Sequence, residues 1–249
     1  MASTYLYRTF GTPTNASKFT YSGWFKKSQL GAGILLFANG GNAQNFSNIM
    51  INGADDFLWQ TVSSNSEVSK LRSDAKFRDV SSFYHLVFQW DSTQGTATNR
   101  TKVFINGQQL TNFSTQTNTA QNSNYAMNSN VEHIIGAEQG NTGGSVGNFF
   151  GGYMAHVNFI DGAIYNPSTF GSTDSTTGEW KIKTSPTISN YGTNGFFLKF
   201  ENSSNIGVDS SGKGNNWTYN AYGRQAKDNP SNVFATLNPL MPLGSNIAY

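Results

Sequence analysis

The spacing of the apolar residues limits the fold of this chain more than any other feature. Apolar side chains recur at every second residue in short stretches, and no window of twelve or more residues keeps a 3.6-residue apolar period. Turn-forming Gly, Asn, Ser and Thr separate these stretches. Across 249 residues this pattern predicts an all-β protein, an antiparallel β-sandwich of the jelly-roll type.

The stretch at 81–91 predicts a central strand. Its two apolar faces consist of Tyr84, Leu86, Phe88 and Trp90, and of Phe83, His85 and Val87. Because both faces are apolar, we expect a layer of protein on each side of this strand. Asn106-Gly107 follows a β-rich segment and predicts a type I′ hairpin turn.

Four further segments carry predictions about exposure and shape. The stretch at 151–162 predicts a strand with Tyr153, Ala155, Val157 and Phe159 on one face. We expect exposed loops at 111–130 and 171–194, because both segments are long and polar. The segment 221–249 holds three prolines and few strand signals, which predicts an extended arm.

The charge balance excludes binding classes that act through net charge. The chain has 16 Lys and Arg against 14 Asp and Glu, a formal charge of +2. A nucleic-acid binder would need a clear basic excess, so we expect no nucleic-acid partner. The chain has no Cys, which excludes disulfides and thiolate sites. No apolar run has the length of a signal peptide or a membrane span, so we expect no membrane insertion.

The carboxylates and histidines do not form a recognisable catalytic motif. Glycosidases set two carboxylates across the sugar, and a jelly-roll glucanase supplies them from one strand. None of the five Glu lies in such a run, and Gly136 interrupts the chain between Glu132 and Glu138. His85 and His156 lie among apolar residues of predicted strands, which indicates buried or half-buried imidazoles with one hydrogen-bond partner; a catalytic or metal-binding role is the alternative. We therefore expect that the protein is not an enzyme.

Two aspartates are the candidate metal ligands. Asp91 ends the stretch at 81–91, and Asp209 begins the polar run DSSGKGNN at 209–216. Oxygen-rich turns of this kind suit calcium, although the run lacks the closing Glu of an EF-hand loop. An Asx turn at Asp209 is the alternative interpretation. We expect no obligatory cofactor, and calcium at the rim of the sandwich is the hypothesis to test.

Tryptophans beside predicted turns are the candidate ligand-binding residues. Trp59, Trp180 and Trp217 lie nearest to turns, where an exposed ring would stack on the apolar face of a sugar. The alternative is that each ring packs a loop against the sandwich. Trp24 and Trp90 lie inside strong strands and are predicted to be buried.

Several segments together resemble the laminin-G-like, concanavalin A-like jelly roll. They are FTYSGWFKK at 19–27, FRDVSSFYHLVFQWDS at 77–92, RTKVFINGQQL at 100–110 and FFGGYMAHVNFIDG at 149–162. The later segments resemble virion proteins of marine bacteriophages and related aquatic viruses, which are usually labelled tail-fibre, host-specificity or structural proteins. These segments are NPSTFGSTDSTTGEW at 166–180, YGTNGFFLKFENSSNIGVDSSGKGNNWT at 191–218 and VFATLNPL at 233–240.

The resemblance implies a viral structural protein that is made in a host cytoplasm and exposed on the virion. A capsid decoration or a tail or head fibre component would have other virion proteins, further copies of itself and host surface glycans as partners. The alternative function is a carbohydrate-binding adhesin module of viral or bacterial origin. We expect a laminin-G-like domain at residues 1–220 and an arm at 221–249. Residues 195–220 either close that domain or begin a second module.

Overall fold

The computed structural model describes residues 4–40, 44–139, 146–220 and 225–230. Within these ranges the regular structure is β, apart from two 3₁₀ turns at Ala97–Asn99 and Pro167–Thr169. The first nine strands are β1 (Leu6–Thr9), β2 (Lys18–Lys27), β3 (Ile34–Gly40), β4 (Phe46–Ile51), β5 (Asp56–Ser63), β6 (Ser66–Lys76), β7 (Tyr84–Asp91), β8 (Thr101–Ile105) and β9 (Gln108–Gln109). The remaining strands are β10 (Phe113–Thr117), β11 (Glu132–Ile135), β12 (Glu138–Gln139), β13 (Val146–Gly147), β14 (Gly152–Asp161), β15 (Gly171–Thr173), β16 (Trp180–Ile182), β17 (Phe196–Leu198) and β18 (Thr218–Tyr219). No helix in these ranges is long and apolar enough to cross a membrane.

Two antiparallel sheets form a sandwich, which confirms the predicted all-β fold. The eight-stranded sheet has the order β10-β6-β5-β4-β3-β11-β1-β18, and the six-stranded sheet has the order β17-β14-β2-β7-β8-β9. Their inner faces enclose an aromatic core. The phenylalanines with no exposed surface in this core are Phe25, Phe37, Phe57, Phe88, Phe159 and Phe196. Burial of this many large apolar side chains supplies the main favourable term in folding.

The two-faced strand predicted at 81–91 is confirmed as β7, which lies in the middle of the six-stranded sheet. Leu86, Phe88 and Trp90 belong to the core between the sheets. Val87, on the outer face, belongs to a second apolar cluster with Phe170 and other residues that follow β14. The chain after β14 therefore covers the outer face of this sheet as a third layer.

The expectation of an exposed loop at 171–194 is wrong in part, because two short stretches of this mostly exposed segment form a hairpin that packs on the sheet. β15 and β16 pair with each other, and Trp180 stacks on His85 with ring centroids 6.0 Å apart. Trp180 Nε1–H donates to His85 Nδ1 (3.1 Å), and His85 Nε2 lies 2.9 Å from Ser22 Oγ. Since an indole N–H can only donate, Nδ1 accepts and Nε2 carries the proton. Burial lowers the pKa of His85 to about 3, so this imidazole is neutral.

The expectation of an exposed loop at 111–130 is also wrong in part. β10 adds an edge strand to the eight-stranded sheet by pairing with β6. Further along, Thr119 Oγ1 donates to Ser69 Oγ (2.9 Å) in a buried position. Met127 and Asn128 are buried as well. Polar residues in this segment therefore satisfy buried donors and acceptors, which composition alone does not distinguish from solvation.

A β-bulge in β14 changes which side chains share a face. Ala155 pairs with Trp24 and Asn158 pairs with Ser22, so one extra residue is inserted at His156 and Val157. Val157 and Phe159 face the core after the bulge, whereas Tyr153 pairs with Lys26 and is 42% exposed. The prediction that Tyr153 shares a face with Val157 and Phe159 is therefore wrong, because the bulge reverses the alternation.

The residues after β16 add strands to both sheets. β17 pairs with β14 at the edge of the six-stranded sheet, and β18 pairs with β1 at the edge of the eight-stranded sheet. Of the predicted arm at 221–249, residues 225–230 are described, and the rest of that prediction lies outside the described residues.

Buried hydrogen bonds close the end of the sandwich where β14 finishes. The carboxylate of Asp161 accepts from the backbone N–H of Thr14 (2.7 Å) and of Asn194 (3.1 Å). The side-chain amide of Asn128 donates to the same carboxylate (2.8 Å). Asp161, Asn128 and Asn194 are each at most 2% exposed. This end is sealed by polar groups that satisfy one another, in contrast to the end at which β14 begins.

Candidate functional site

A groove of about 950 Å³ lies at the end of the sandwich where β14 begins. Elements of both sheets meet there: the start of β1, the ends of β2 and β11, and the chain just after β17. Residues 225–229 form a further wall. We call this cavity the edge groove. Its volume is in the range of sites that hold small organic ligands.

Aromatic rings form much of the wall of the edge groove. Tyr5, Phe149, Phe150 and Tyr153 line it. All four rings are partly solvent-accessible, Tyr153 most of all. Gly152 lets this segment approach β2, because a Cβ at that position would lie 2.1 Å from the carbonyl oxygen of Lys26. The chain thus holds partly exposed aromatic rings at the edge of the sheet.

The backbone of the groove is strained at three residues other than glycine. Asn148, His156 and Phe200 have φ values of 48°, 47° and 61°, in the left-handed region. All three line the edge groove. Asn tolerates this region, but a bulky ring does so at a cost. Strain of this kind persists where the surrounding structure enforces it, and it concentrates at functional sites.

His156 brings an unpaired polar atom to the groove. The bulge in β14 positions the half-buried ring of this residue, which packs against Phe197 with centroids 5.5 Å apart. Its Nδ1 is buried and has no hydrogen-bond partner among the described residues. Burial lowers the pKa of His156 to about 4, with Lys199 lowering it further and Glu201 opposing. A neutral imidazole offers one donor and one acceptor, so an uncharged ligand with hydroxyl groups can pair with it.

Each charged side chain that lines the groove has a partner of opposite charge. Asp228 accepts a hydrogen bond from Lys26, which is not a lining residue and whose Nζ lies 5.1 Å from the centroid of the Tyr153 ring. Lys199 Nζ lies 3.9 Å from Glu201 Oε2. Two cations therefore face two carboxylates. The electrostatic balance favours a ligand without a large net charge.

A comparison of the sequence with known protein families identifies the family of this β-sandwich. The sequence model of a family described as the concanavalin A-like lectin/glucanases superfamily, laminin-G type, matches residues 3–167. The chain belongs to this superfamily. No curated protein sequence shows significant similarity to it.

Several solved structures resemble this chain in fold, although their sequence identity to it is low. A candidate carbohydrate binding protein from Bacteroides ovatus superposes with a TM-score of 0.58 and 18% identity, covering 94% of this chain and 60% of that one. A heptameric SAP-like pentraxin from Limulus polyphemus has a TM-score of 0.47 and 16% identity, covering 65% and 71%. The CBM40 of the Ruminococcus gnavus IT-sialidase has a TM-score of 0.44 and 16% identity, covering 61% and 80%. The first of these supports the fold of this superfamily member.

Within this superfamily member, two of the tryptophans expected at the rim lie in the core. Trp59 and Trp217 are 1% and 2% exposed and pack among the core phenylalanines. They do not reach a ligand, because each sits on the inner face of a strand or of the chain beside one. Trp180 is half-buried against His85 and does not line the edge groove. Trp24 and Trp90 are buried, as predicted.

The two candidate calcium ligands bind protein donors. Asp209 accepts from the backbone N–H of Phe197 (2.9 Å), Ser211 (2.8 Å) and Asn215 (2.9 Å), and from Ser211 Oγ (2.8 Å). The bond from the N–H of Ser211 is an Asx turn. Asp91 accepts from Thr93 and Gln94, and lies 3.3 Å from Lys18 Nζ. Across the described ranges, no three His, Asp or Glu side chains converge as metal ligands.

The groove residues escaped the sequence reasoning for a structural reason. Phe149 and Phe150 lie in the glycine-rich stretch GGSVGNFFGG at 143–152, and they were not among the predicted ligand-binding residues, which were all tryptophans. His156 was expected to be buried with a partner, whereas the structure leaves its Nδ1 unpaired. The bulge responsible has no signature in the alternation of apolar residues.

Proposed function

We propose that this protein is a carbohydrate-binding module and that the edge groove is its binding site. The observation that carries the proposal is that His156, whose Nδ1 is unpaired, lines a groove walled by partly exposed aromatic rings. A buried polar atom without a partner costs free energy. A ligand that turns the ring and places a hydroxyl on this atom would recover that cost, which would give the strained bulge at His156 a function.

Sugars fit the chemistry of the groove better than other small ligands. Their C–H faces stack on aromatic rings such as Tyr5 and Tyr153, and their hydroxyls pair with amides and imidazoles. Ser28, Gln29 and Asn148 add exposed polar side chains along the wall. The mutual pairing of the charged residues favours neutral sugars over highly charged ones.

The comparisons support the proposal at the level of fold. The Bacteroides ovatus protein, which superposes with a TM-score of 0.58, is named for carbohydrate binding. This chain spans 60% of the length of the Bacteroides protein, so the activity of that whole protein is not transferred. Fold similarity at this identity does not identify a sugar.

Binding to a broad array of plant, algal and bacterial glycans tests the proposal. We expect binding that falls about tenfold in Tyr153→Ala, because the exposed ring loses its stacking with the sugar. His156→Asn should weaken binding by about two- to tenfold, since Asn tolerates the positive φ but is too short to replace Nδ1. Ile164→Ala, another exposed apolar residue outside the groove, is the control and should bind normally. Absence of binding across the array would overturn the proposal.

We propose further that the module binds without cleaving. The two carboxylates of the groove, Glu201 and Asp228, each form an ion pair with a Lys. Glycoside hydrolysis needs an acid and a second carboxylate on opposite sides of the bond. Incubation with any bound glycan should release no reducing ends, and their release would show catalysis.

Exposure on a virion remains a separate proposal, supported by the sequence resemblance of residues 166–218 to virion proteins. A glycan-binding surface would serve attachment of a particle to a host. The proposal predicts that the protein copurifies with viral particles and forms a symmetric homo-oligomer on them. Its absence from purified particles would overturn the virion role and leave carbohydrate binding intact.

A further inference from the structure

A second cavity adjoins the edge groove on the outer face of the eight-stranded sheet. It has a volume of about 310 Å³. Its lining consists of Tyr5, Tyr7, Glu132, Val146, Tyr219 and Asn220. The two cavities therefore share Tyr5 as a lining residue.

The alternation of β1 explains why tyrosines line this second cavity. Leu6 belongs to the core, so its neighbours Tyr5 and Tyr7 project from the opposite face of the sheet. The ring centroid of Tyr5 lies 5.9 Å from that of Tyr7 and 6.1 Å from that of Phe149. On the neighbouring edge strand β18, Thr218 pairs with Tyr7 and shares its face, whereas Tyr219 pairs with Leu6 on the opposite face. The accessible rings on the outer face are therefore those of Tyr5 and Tyr7, next to Phe149 of the groove.

The second cavity also holds a carboxylate without a protein partner. Glu132 pairs with Thr9 in the β1–β11 ladder, on the same face as Tyr7. Its side chain is partly buried and makes no hydrogen bond or ion pair with any described residue. By contrast, Glu138 on the adjoining hairpin accepts from the side-chain amides of Asn48 (3.0 Å) and Asn148 (2.7 Å). The Glu132 oxygens remain available to accept hydrogen bonds from hydroxyl groups of a ligand.

We propose that the edge groove and the second cavity form one continuous site that binds a linear oligosaccharide over several consecutive sugar units. Tyr5 contacts the chain where the cavities meet, Tyr7 stacks on a sugar unit beyond the groove, and Glu132 accepts hydrogen bonds from the hydroxyls of that unit. This inference rests on the proposed carbohydrate binding and specifies its ligand as an extended chain rather than a terminal monosaccharide. Stacked rings with a single hydrogen-bonding carboxylate suit successive neutral sugar rings.

Isothermal titration with ladders of linear glucan, mannan and galactan oligosaccharides, from monosaccharide to octasaccharide, tests the inference. For any ladder that binds, we expect affinity to rise with chain length until both cavities are filled, and then to stay constant. Tyr7→Ala and Glu132→Gln should each lower affinity for the hexasaccharide by about five- to tenfold, and affinity for the disaccharide by less than about twofold. Glu132→Gln preserves the size of the side chain and should keep the fold. It therefore still tests the inference if Tyr7→Ala fails to fold.

The outcomes separate this inference from the proposed function. Binding that depends on Tyr153 but not on chain length, Tyr7 or Glu132 would overturn the extended site while leaving carbohydrate binding in place. Equal losses for short and long chains in Glu132→Gln would also overturn it, because the carboxylate would then act in the groove itself. Failure of every ladder and of the glycan array would overturn both.

Discussion

Replacing Lys27 by Met removes a cation that lies at the end of β2 with no exposed side-chain surface and donates to Asp55. Its neighbour Ser28 lines the edge groove, so this ion pair holds the end of β2 beside the groove. The exposed fraction of Asp55 is 5%. The substitution leaves a carboxylate largely withdrawn from water without its main partner.

The expected cost follows from what remains around Asp55. Removing one member of a buried ion pair costs about 3–5 kcal/mol. Asp55 keeps the backbone N–H of Gly31 at 3.1 Å and Arg78 at 3.6 Å, so we expect the lower end, about 3 kcal/mol. In a chain of this size each kcal/mol lowers the melting temperature by about 2–4 °C, which gives a decrease of about 6–12 °C.

Urea denaturation and differential scanning calorimetry measure this cost. Lys181→Met is the matched control, because Lys181 pairs with Asp174 on the surface and should show no resolvable change. The double variant Lys27→Met with Asp55→Asn should recover part of the loss, since Asn carries no charge and tolerates the positive φ of 63° at this position.

The same pair has a pH dependence of defined sign. Burial alone would raise the pKa of Asp55, but hydrogen bonds from Lys27 and Gly31 outweigh it and hold that pKa below its ordinary value. The pair therefore stabilises the fold above the unfolded-state pKa of about 3.9, and this contribution disappears as pH falls through the lower folded-state pKa. The difference in free energy of unfolding between wild type and Lys27→Met should therefore become smaller at acidic pH. A gap below about 1 kcal/mol at neutral pH, or one independent of pH, would refute the reasoning.

Three further predictions follow from individual contacts. Gly107→Ala should destabilise the protein by about 1–3 kcal/mol, because φ is +81° and a Cβ would lie 2.6 Å from the Trp180 ring; Gly95→Ala, with open space around it, is the control in thermal melts. The fully buried His85 and His133 have pKa values lowered to about 3, below the value of about 6.5 in the unfolded chain. The free energy of unfolding should therefore fall by about 1.4 kcal/mol per histidine for each pH unit as the pH is lowered from about 6 to about 4. A free energy of unfolding from urea titrations that stays constant over this range would contradict the prediction. Melting temperature should be equal in excess calcium and in chelator, because Asp209 already accepts four protein hydrogen bonds, and a rise with calcium would restore the metal hypothesis.

The sequence predicted features that depend on local pattern. The two apolar faces of β7 identified a central strand, because alternation reports directly on burial. The turn at Asn106-Gly107 has φ values of 48° and 81°, as the type I′ prediction requires. In both cases neighbouring residues determine the outcome.

Features set by distant contacts were not predictable in this way. The bulge in β14 turned Tyr153 outward and left His156 without a partner, and it depends on the register with β2. Trp59 and Trp217 lie near turns in the sequence but pack in the core, since large apolar rings contribute most when fully buried. Candidate ligand residues chosen by type and proximity to turns therefore missed the aromatic edge built by Tyr5, Phe149 and Phe150.

Backbone amide chemical shifts during titration with a bound oligosaccharide test the location of the site most directly. The account predicts that the largest changes occur at Tyr5, Gly151, Tyr153 and His156 around the edge groove, and that the β5–β6 region does not respond. It also predicts that the imidazole ¹⁵N signals of His156 change as Nδ1 gains a hydrogen bond. Changes centred on Trp180 and the outer hairpin, with His156 unaffected, would contradict the assignment of the edge groove as the carbohydrate site.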